Sequence, residues 1–532
     1  MKKLPLGIQT FKKIVESNCV YADKTEYIYN LIEDASCYFL SRPRRFGKSL
    51  LLDTIGEVFL GNKELFKGLF IYTSDYDFAP HPVIRLDMSN IANDTPESLN
   101  HSTLSRLKHI YDTEGFNFNE TKASDAFVNL IILLNQKHGA KVVVLIDEYD
   151  KPLLDHLHEP ESAEANRRVM RKFYGILKSM DAYLRFTFIT GVSKFSKTSI
   201  FSGLNHLRDI TMTKKYACIC GIPVTDLDKY FGEHIESLKN LNIFSDIDNM
   251  HDAILSWYDG YSWDGVNRVI NPFALLNFLM EERFGNFWYA TGSPKFLIDM
   301  IKDRPEYFMR IKNLALTNES LDAFDIGQMY IESILFQTGY LTVEYITAEE
   351  GIPAYHLKIP NREVKNAFNL QVLSGLTESG DVLTGITGRE IKIALNKGDM
   401  QKMLEMLRGL FASIPYELHI SKEAYYHTVF YAVMLVLGFE VAAEVSTSRG
   451  RVDAVLELSD KVYVIEFKYE NIAGDATEEE KQAVYNKTLD TAMAQIKDKG
   501  YHEKYIGLGK TIHLAAFAFL GRDEIEMCSE TM

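Results

Sequence analysis

Cysteine is scarce: five in 532 residues (Cys19, Cys37, Cys218, Cys220 and Cys528), with no C-x-x-C pair among them. Free thiols in a reducing compartment are the expected state. Long apolar runs are missing too, and none nears the length that crosses a membrane. Behind Met1-Lys2-Lys3 only LPLGI is apolar before Gln9 and Lys12 intervene, so no secretion signal is expected and the cytoplasm is the expected location. Basic charge is in deficit. With 58 Lys and Arg against 73 Asp and Glu the formal net charge is -15. That excludes a surface broadly coating nucleic acid, and leaves room for a local basic groove or a metal-assisted site. There is no internal repeat and no long low-complexity tract.

The length suggests roughly three to four domains. Hydrophobic residues at 46% and charged residues at 25% suit a globular chain with several packed cores. Over the first ~215 residues short apolar runs alternate with helical stretches, the pattern of a parallel sheet with crossover helices. The runs are Cys37 to Leu40, Val83 to Leu86, Val142 to Ile146 and Phe186 to Ile189. Their carboxyl ends are where an open α/β sheet carries its ligand. Residues 216–370 turn aromatic and turn-rich, as in WYDGYSW (Trp257 to Trp263) and NPFALLNFL (Asn271 to Leu279). We read a helical, winged-helix-like region or lid there, with a β element at LFQTGYLTVEYI (Leu335 to Ile346). SGLTESGDVLTGITG (Ser374 to Gly388) reads as a loop or linker, with a helix near Asp399 to Phe411, inside a 371–420 connection. Residues 421–520 read as αβββαβ, a compact α/β sandwich, and 521–532 as a tail.

SRPRRFGKSLLL (Ser41 to Leu52) nearly matches a phosphate loop, G-x-x-x-x-G-K-[ST]. Gly47, Lys48 and Ser49 fit, but Arg42 holds the place of the first glycine. In such a loop the backbone N–H groups and the helix N-terminus cradle phosphate, the lysine reaches the β/γ-phosphates and the serine hydroxyl binds Mg²⁺. A basic turn that merely contains Gly-Lys-Ser is the alternative. About 100 residues on, VVVLIDEYDKPL is an apolar strand ending in Asp147-Glu148. Asp147 is placed to hold Mg²⁺ through water or Ser49. Glu148 is placed to orient or deprotonate the attacking water. At the end of FTFITGVSKFS, Thr190 or Ser193 is placed to sense the γ-phosphate, with an ordinary strand-end hydroxyl as the alternative.

These pieces, together with YADKT (Tyr21 to Thr25), ITGVSKFSKTSIFSGLNHLRDIT (Ile189 to Thr211) and NPFALL, resemble the AAA-ATPase-like domain found beside a PD-(D/E)xK nuclease domain in many bacterial proteins. The resemblance spans the first ~370 residues. Related loops often read G-P-R-R-x-G-K-[ST], and Pro43, Arg44 and Arg45 follow that variant. The resemblance implies an α/β, ASCE-type P-loop NTPase fold and nucleotide contacts from Arg44, Arg45, Gly47, Lys48, Ser49, Asp147 and Thr190. The implied ligands are ATP and Mg²⁺.

RVDAVLELSDKVYVIEFKYE holds Asp453, Glu466 and Lys468. Residues two apart on a strand share a face, so Glu466 and Lys468 point one way and Tyr463, Ile465 and Phe467 the other. Asp453 lies on the preceding strand. Two carboxylates and a lysine suit phosphodiester hydrolysis with Mg²⁺ or Mn²⁺. An exposed strand face of mixed charge is the alternative. The segment resembles the PD-(D/E)xK superfamily, with its restriction-endonuclease-like fold. The resemblance places Asp453, Glu466 and Lys468 on the core motif, Glu423 in the metal shell, and Gln495 and Tyr501 on a later helix motif. His427 reads as a packed histidine.

Residues 421–520 carry eleven Lys and Arg against fifteen Asp and Glu. Because cations supply most non-specific DNA affinity, this segment alone should bind DNA poorly. Two readings stay open. One is an ATPase coupled to a metal-dependent deoxyribonuclease acting in defence or mobile-element control. The other is a nucleotide-dependent switch or scaffold with slow turnover and a silent nuclease fold. A nucleotide and DNA are the expected partners, with an oligomer or a partner protein also open, and no membrane.

Overall fold

A computed structural model of the chain describes all residues except 158, 195–199, 202–203, 240, 289–313, 323, 326–327, 330, 378–385, 413–422, 440, 448–449, 473–475 and 522–523. The chain divides into two compact units, Met1–Thr291 with Asn313–Glu363, and Val364–Met532. Among the described residues no helix is long and apolar enough to cross a membrane.

The four apolar runs of the first unit are strands of one sheet: β1 (Cys37–Ser41), β2 (Val83–Asp87), β3 (Val142–Asp147) and β4 (Leu184–Gly191). With the short β5 (Arg208–Asp209) they form a sheet in the order β2-β3-β4-β1-β5, all pairs parallel. β1 and β3 are fully apolar up to their last residue because both faces of a parallel sheet are covered. Register sets Leu40 beside Thr190, Ser41 beside Gly191 and Ile146 beside Ile189. The carboxyl ends of β1, β3 and β4 therefore converge.

The rest of this unit is helical, with small sheets. β6 (Ile222–Pro223) pairs with β7 (Val269–Ile270), and β9 (Phe324–Asp325) with β10 (Gln328–Met329). β8 (Leu314–Thr317), β11 (Thr342–Glu349) and β12 (Ile352–Lys358) form an antiparallel sheet in the order β11-β12-β8. The helix Pro272–Glu281 starts where Asn271 caps it, accepting the Ala274 N–H, and Pro272 takes a position that needs no donor. LFQTGYLTVEYI is only half β: its first residues end the helix Ile331–Thr338, and β11 begins at Thr342. Gly339, with φ +93°, makes the break, since a β-carbon there would lie 2.8 Å from the Pro43 ring.

In the second unit β13 (Val441–Thr447), β14 (Gly450–Glu457), β15 (Lys461–Glu470), β16 (Thr511–Leu520) and β17 (Glu524–Thr531) form a mixed sheet in that order. Only β15 and β16 run parallel, joined by the helix Glu478–Asp498. Thr477 and Glu480 cap that helix reciprocally. Leu489, Ala492, Met493 and Ile496 bury its inner face with Val462, Val464 and Leu514. On the opposite face Phe467 packs 5.0 Å from Phe430 and 5.6 Å from Phe517, ring centre to ring centre. Burying one such side chain contributes about 1.5–3 kcal/mol. The helix expected to end at Gly438 spans Glu423–Val436, with Gly438 left-handed behind it.

Two expectations change. Residues 521–532, read as a tail, hold β17, so the order becomes αβββαββ. Ser374 to Gly388, read as a loop, begins in the helix Arg362–Thr377 and ends in the helix Ile386–Lys397, and its middle lies outside the described residues. A second helix, Met400–Ala412, follows in the same connection.

Candidate nucleotide and metal sites

β1 delivers the chain to the loop at Ser41, whose hydroxyl donates to the Val192 carbonyl while its N–H donates to Thr211 Oγ1 at 3.0 Å. The left-handed turns of the loop fall at Arg45 (φ 67°) and Gly47 (φ 90°). Gly47 caps the helix Lys48–Phe59 without a side-chain acceptor, so the first N–H groups of that helix stay available to an anion. Lys48 is buried, and its ammonium donates to the carbonyls of Arg42 and Pro43, both at 2.9 Å. Burial lowers its pKa, with Asp147, Asp150 and Glu148 opposing. Ser49 lies half-buried in the first turn.

Arg42 does not enter this cradle. Its side chain is wholly buried behind the loop, donating to the carbonyls of Ser41 (2.8 Å) and Thr211 (2.9 Å). The guanidinium lies 3.8 Å from the Trp263 ring centre. A cation–π contact this dry contributes about 2 kcal/mol, against a burial that pulls the Arg42 pKa down to about 10. Phe46 packs edge-on to Tyr261 and Trp263, the Arg45 guanidinium lies 3.9 Å from the Phe273 ring centre, and the Trp288 indole donates to the Arg44 carbonyl at 3.0 Å. Arg44 and Arg45 stand on the exposed side of the loop. The aromatic segment from Tyr261 to Trp288 thus packs on the loop, a contact no local sequence signal announced.

At the end of β3, Asp147 accepts from the Thr190 hydroxyl and, at 3.0 Å, from the Glu148 N–H. Glu148 is left-handed (φ 48°). Its carboxyl lies above the usual range because burial outweighs Lys48, with Asp147 and Asp150 adding to the rise. Of the two hydroxyls considered, Thr190 reaches Asp147, while Ser193 is bound to Asp150. Sequence reading passed over Asp150. It is buried and accepts the N–H groups of Val192 (3.0 Å) and Ser193 (2.6 Å), tying the end of β4 to the turn after β3. A β-carbon on Gly191 would lie 2.6 Å from Asp150 Oδ1 and from the Tyr149 ring. Gly191→Ala is therefore expected to destabilise the protein by about 1–3 kcal/mol in denaturant unfolding. Part of the Ile189 to Thr211 motif, at 195–199 and 202–203, lies outside the described residues.

Beside Gly47 an apolar cavity of about 100 Å³ opens, lined by Val20, Tyr21, Phe46, Leu51, Ile222 and Leu276. YADKT shapes one wall. Lys24, buried, donates to the Cys218 carbonyl at 2.9 Å, and Asp23 accepts from Thr25 and from the Phe70 N–H.

In the second unit, pairing sets Ala454 beside Ile465, which brings Asp453 to Glu466. Asp453 Oδ2 accepts the Phe467 N–H at 2.9 Å. Glu466 is 1% exposed, and its Oε1 accepts from Lys468 Nζ at 3.0 Å and from Gln495. Its Oε2 is buried with no hydrogen-bond partner. Burial, then Asp453, push the Glu466 carboxyl up to about 7, against the pull of Lys468. Burial alone would lower Lys468, but Glu466, Asp453 and Glu423 outweigh it and hold the ammonium above its ordinary value. Glu423 begins its helix exposed. Its carboxyl is raised by desolvation, with Lys468 opposing and Asp453 adding. Among the described residues no group of three His, Cys, Asp or Glu side chains is placed to hold a metal ion. Gln495 reaches the site. Tyr501 instead enters the core, and His427 Nε2 lies 3.0 Å from the Asp453 carbonyl.

An oxygen-only pair with one orphaned, buried carboxylate oxygen fits a hard divalent cation that keeps water and takes phosphate oxygens, as Mg²⁺ does. An anion-ready helix start with a buried lysine and an acidic strand end fits a Mg²⁺-nucleotide.

Comparison with known proteins agrees with both halves. Residues 5–201 match a family described as predicted AAA-ATPase, and residues 421–527 match the PD-(D/E)XK nuclease superfamily. An uncharacterized protein in the vnfD 5'region of Azotobacter chroococcum mcd 1 is 37% identical over 526 residues, covering 97% of this chain and 96% of that one. Solved structures resemble it only distantly. The ORC2 protein of Aeropyrum pernix, in ADPNP-ADP complexes, is 10% identical with a TM-score of 0.26, covering 68% of this chain and 98% of that one. A chain of Drosophila ORC bound to poly(dA/dT) DNA and Cdc6 is 12% identical with a TM-score of 0.23, covering 57% of this chain and 43% of that one. The chain belongs to the family of AAA-ATPase-like proteins that carry a C-terminal PD-(D/E)XK nuclease superfamily domain.

Proposed function

We propose that the protein binds and hydrolyses ATP at the loop site and uses that cycle to govern a metal-dependent cleavage of DNA at Glu466. The observation that carries this reading is Glu466 itself: a buried carboxylate with one oxygen unpartnered, flanked by a carboxylate, a lysine and a glutamine. Its surroundings are costly unless a cation completes them. When bound, a divalent cation supplies the charge that polarises the scissile phosphate and an attacking water. Asp453 and Glu466 would hold it, and Lys468, kept protonated by its acidic neighbours, would steady negative charge rather than take a proton. Gln495 orients the Glu466 carboxylate.

At the loop site Lys48, the helix start and Ser49 would seat the phosphates and their Mg²⁺, with Asp147 as the acidic partner and Thr190 fixing it. Arg44 and Arg45, on the exposed side of the loop, would add positive charge. The cavity beside Gly47 would take the base. Glu148, with its raised carboxyl, is the base for water. We assign the nucleotide segment to 1–215, the lid to 216–370, a connection to 371–420, and the nuclease-like domain from 421 through β17.

A second reading, in which nucleotide sets a conformational switch over a silent nuclease fold, is favoured by one observation. Lys468 Nζ already lies 3.0 Å from Glu466 Oε1 and occupies that oxygen. A paired assay decides between them: ATP hydrolysis and plasmid cleavage by the full chain with Mg²⁺ or Mn²⁺, with and without DNA and ATP. We expect both activities in the parent. Glu148→Gln should still bind ATP and hydrolyse it at least about 100-fold more slowly. Hydrolysis at the parental rate would move the base elsewhere.

A further inference from the structure

We propose that Arg42 is the positioning residue of the phosphate loop, bracing it from behind against Trp263 and so replacing the first glycine found in other loops of this kind. The proposal rests on the nucleotide reading above.

Three observations carry it. First, the backbone does not ask for glycine at position 42. The left-handed residues of the loop are Arg45 and Gly47, and Arg42 is not among the residues of positive φ. Second, the side chain is a wholly buried cation with no carboxylate in ion-pair range among the described residues. Asp209 and Asp264 act on it only from farther away, and its partners are main-chain carbonyls and the Trp263 ring. Burying such a charge is expensive, so a purely structural role would be served better by an apolar side chain of the same volume. Third, the anchor is one bond chain away from the chemistry. The carbonyl of Arg42 itself, with that of Pro43, holds the Lys48 ammonium. A phosphate must draw Lys48 off those carbonyls, and the loop then keeps its shape only if something else holds it. Arg42 does so from below through Ser41, Thr211 and Trp263, and Trp288 does so from above through the Arg44 carbonyl.

Restoring the usual glycine should therefore damage the site. Two of the three tryptophans touch the loop or its anchor, so their emission should report its state. The experiment titrates the full-length parent, Arg42→Gly, Arg42→Lys, Trp263→Leu and Trp263→Phe with Mg²⁺-ADP, by calorimetry and by tryptophan emission. Denaturant midpoints are measured in parallel. Parent affinity tests the nucleotide reading, and a parent that binds no nucleotide overturns that reading and this inference together. Given a binding parent, the ratios test Arg42 alone. We expect Arg42→Gly and Trp263→Leu to weaken binding at least about tenfold. Arg42→Lys should recover part of the loss, and Trp263→Phe should stay within about threefold of the parent. The nucleotide-induced emission change should shrink in Trp263→Phe although binding persists. Arg42→Gly binding as tightly as the parent, or more tightly, overturns the proposal. If Arg42→Gly does not fold, Trp263→Leu decides, and parental affinity in that variant overturns it.

Discussion

Lys48→Ala is expected to abolish nucleotide binding by the full-length protein. The ammonium now makes two hydrogen bonds of 2.9 Å to loop carbonyls, and Lys48 is the first residue of the helix. On nucleotide binding those bonds would pass to phosphate oxygens. Charge-assisted bonds contribute about 1.5–3 kcal/mol each. Losing two implies affinity weaker by at least about 100-fold, beyond the reach of an ordinary calorimetric titration. Alanine also removes the positive neighbour that opposes the rise of the Glu148 pKa, so Glu148 should titrate still higher. Mg²⁺-ATP and Mg²⁺-ADP titrations of parent and variant check this. Unchanged affinity would remove the loop from the site.

Glu466 should make the second unit depend strongly on pH and on metal. Its folded pKa of about 7 lies above its ordinary 4.5. The folded state therefore binds that proton more tightly than the unfolded chain. The stability this brings is complete below about pH 4.5 and is lost as pH rises through about 7. The loss amounts to roughly 3 kcal/mol. Asp453, Lys468 and Gln495 face the group, and none removes the cost of ionising the unpartnered oxygen. Metal-free protein should thus unfold more easily at pH 8 than at pH 5. Glu466→Gln should flatten that difference. Mn²⁺ should restore stability at pH 8 in the parent but not in the variant, because the cation takes the place of the proton. Mn²⁺ affinity should rise about tenfold per pH unit below 7 and level off above it. Denaturant unfolding of parent and variant across pH 5 to 8, with and without Mn²⁺, tests this. Identical pH profiles for the two would contradict it.

Much of this was legible in the sequence because it is local. β1 and β3 read as uninterrupted apolar runs since both their faces are covered, while β2, at the sheet edge, is still legible around the exposed Arg85. Gly47-Lys48-Ser49 and Asp147-Glu148 stand at strand ends that the parallel order brings together. Glu466 and Lys468 share a face by the two-residue period alone. What escaped was non-local or weakly patterned. The Arg42–Trp263 contact joins residues far apart in the chain, and nothing in DEYD itself marks Asp150 as the acceptor of the Val192 and Ser193 N–H groups. β17 is an edge strand rich in glutamate, with Ile525 its one fully buried residue, so it carries little apolar alternation. The helix-to-strand change after Thr338 turns on the left-handed Gly339, whose approach to Pro43 is again tertiary.

We propose that Asp453, Glu466 and Lys468 form a metal-dependent phosphodiesterase site in a nucleotide-binding protein. The most direct measurement is nicking of supercoiled DNA by the full chain in Mn²⁺, set beside Asp453→Ala and Lys468→Ala, with Mn²⁺ binding to each followed by calorimetry. Cleavage is expected to need the metal. Asp453→Ala should lose both binding and cleavage, and Lys468→Ala should bind Mn²⁺ and fail to cleave. Cleavage that proceeds without metal, or that survives Asp453→Ala at the parental rate, would contradict it.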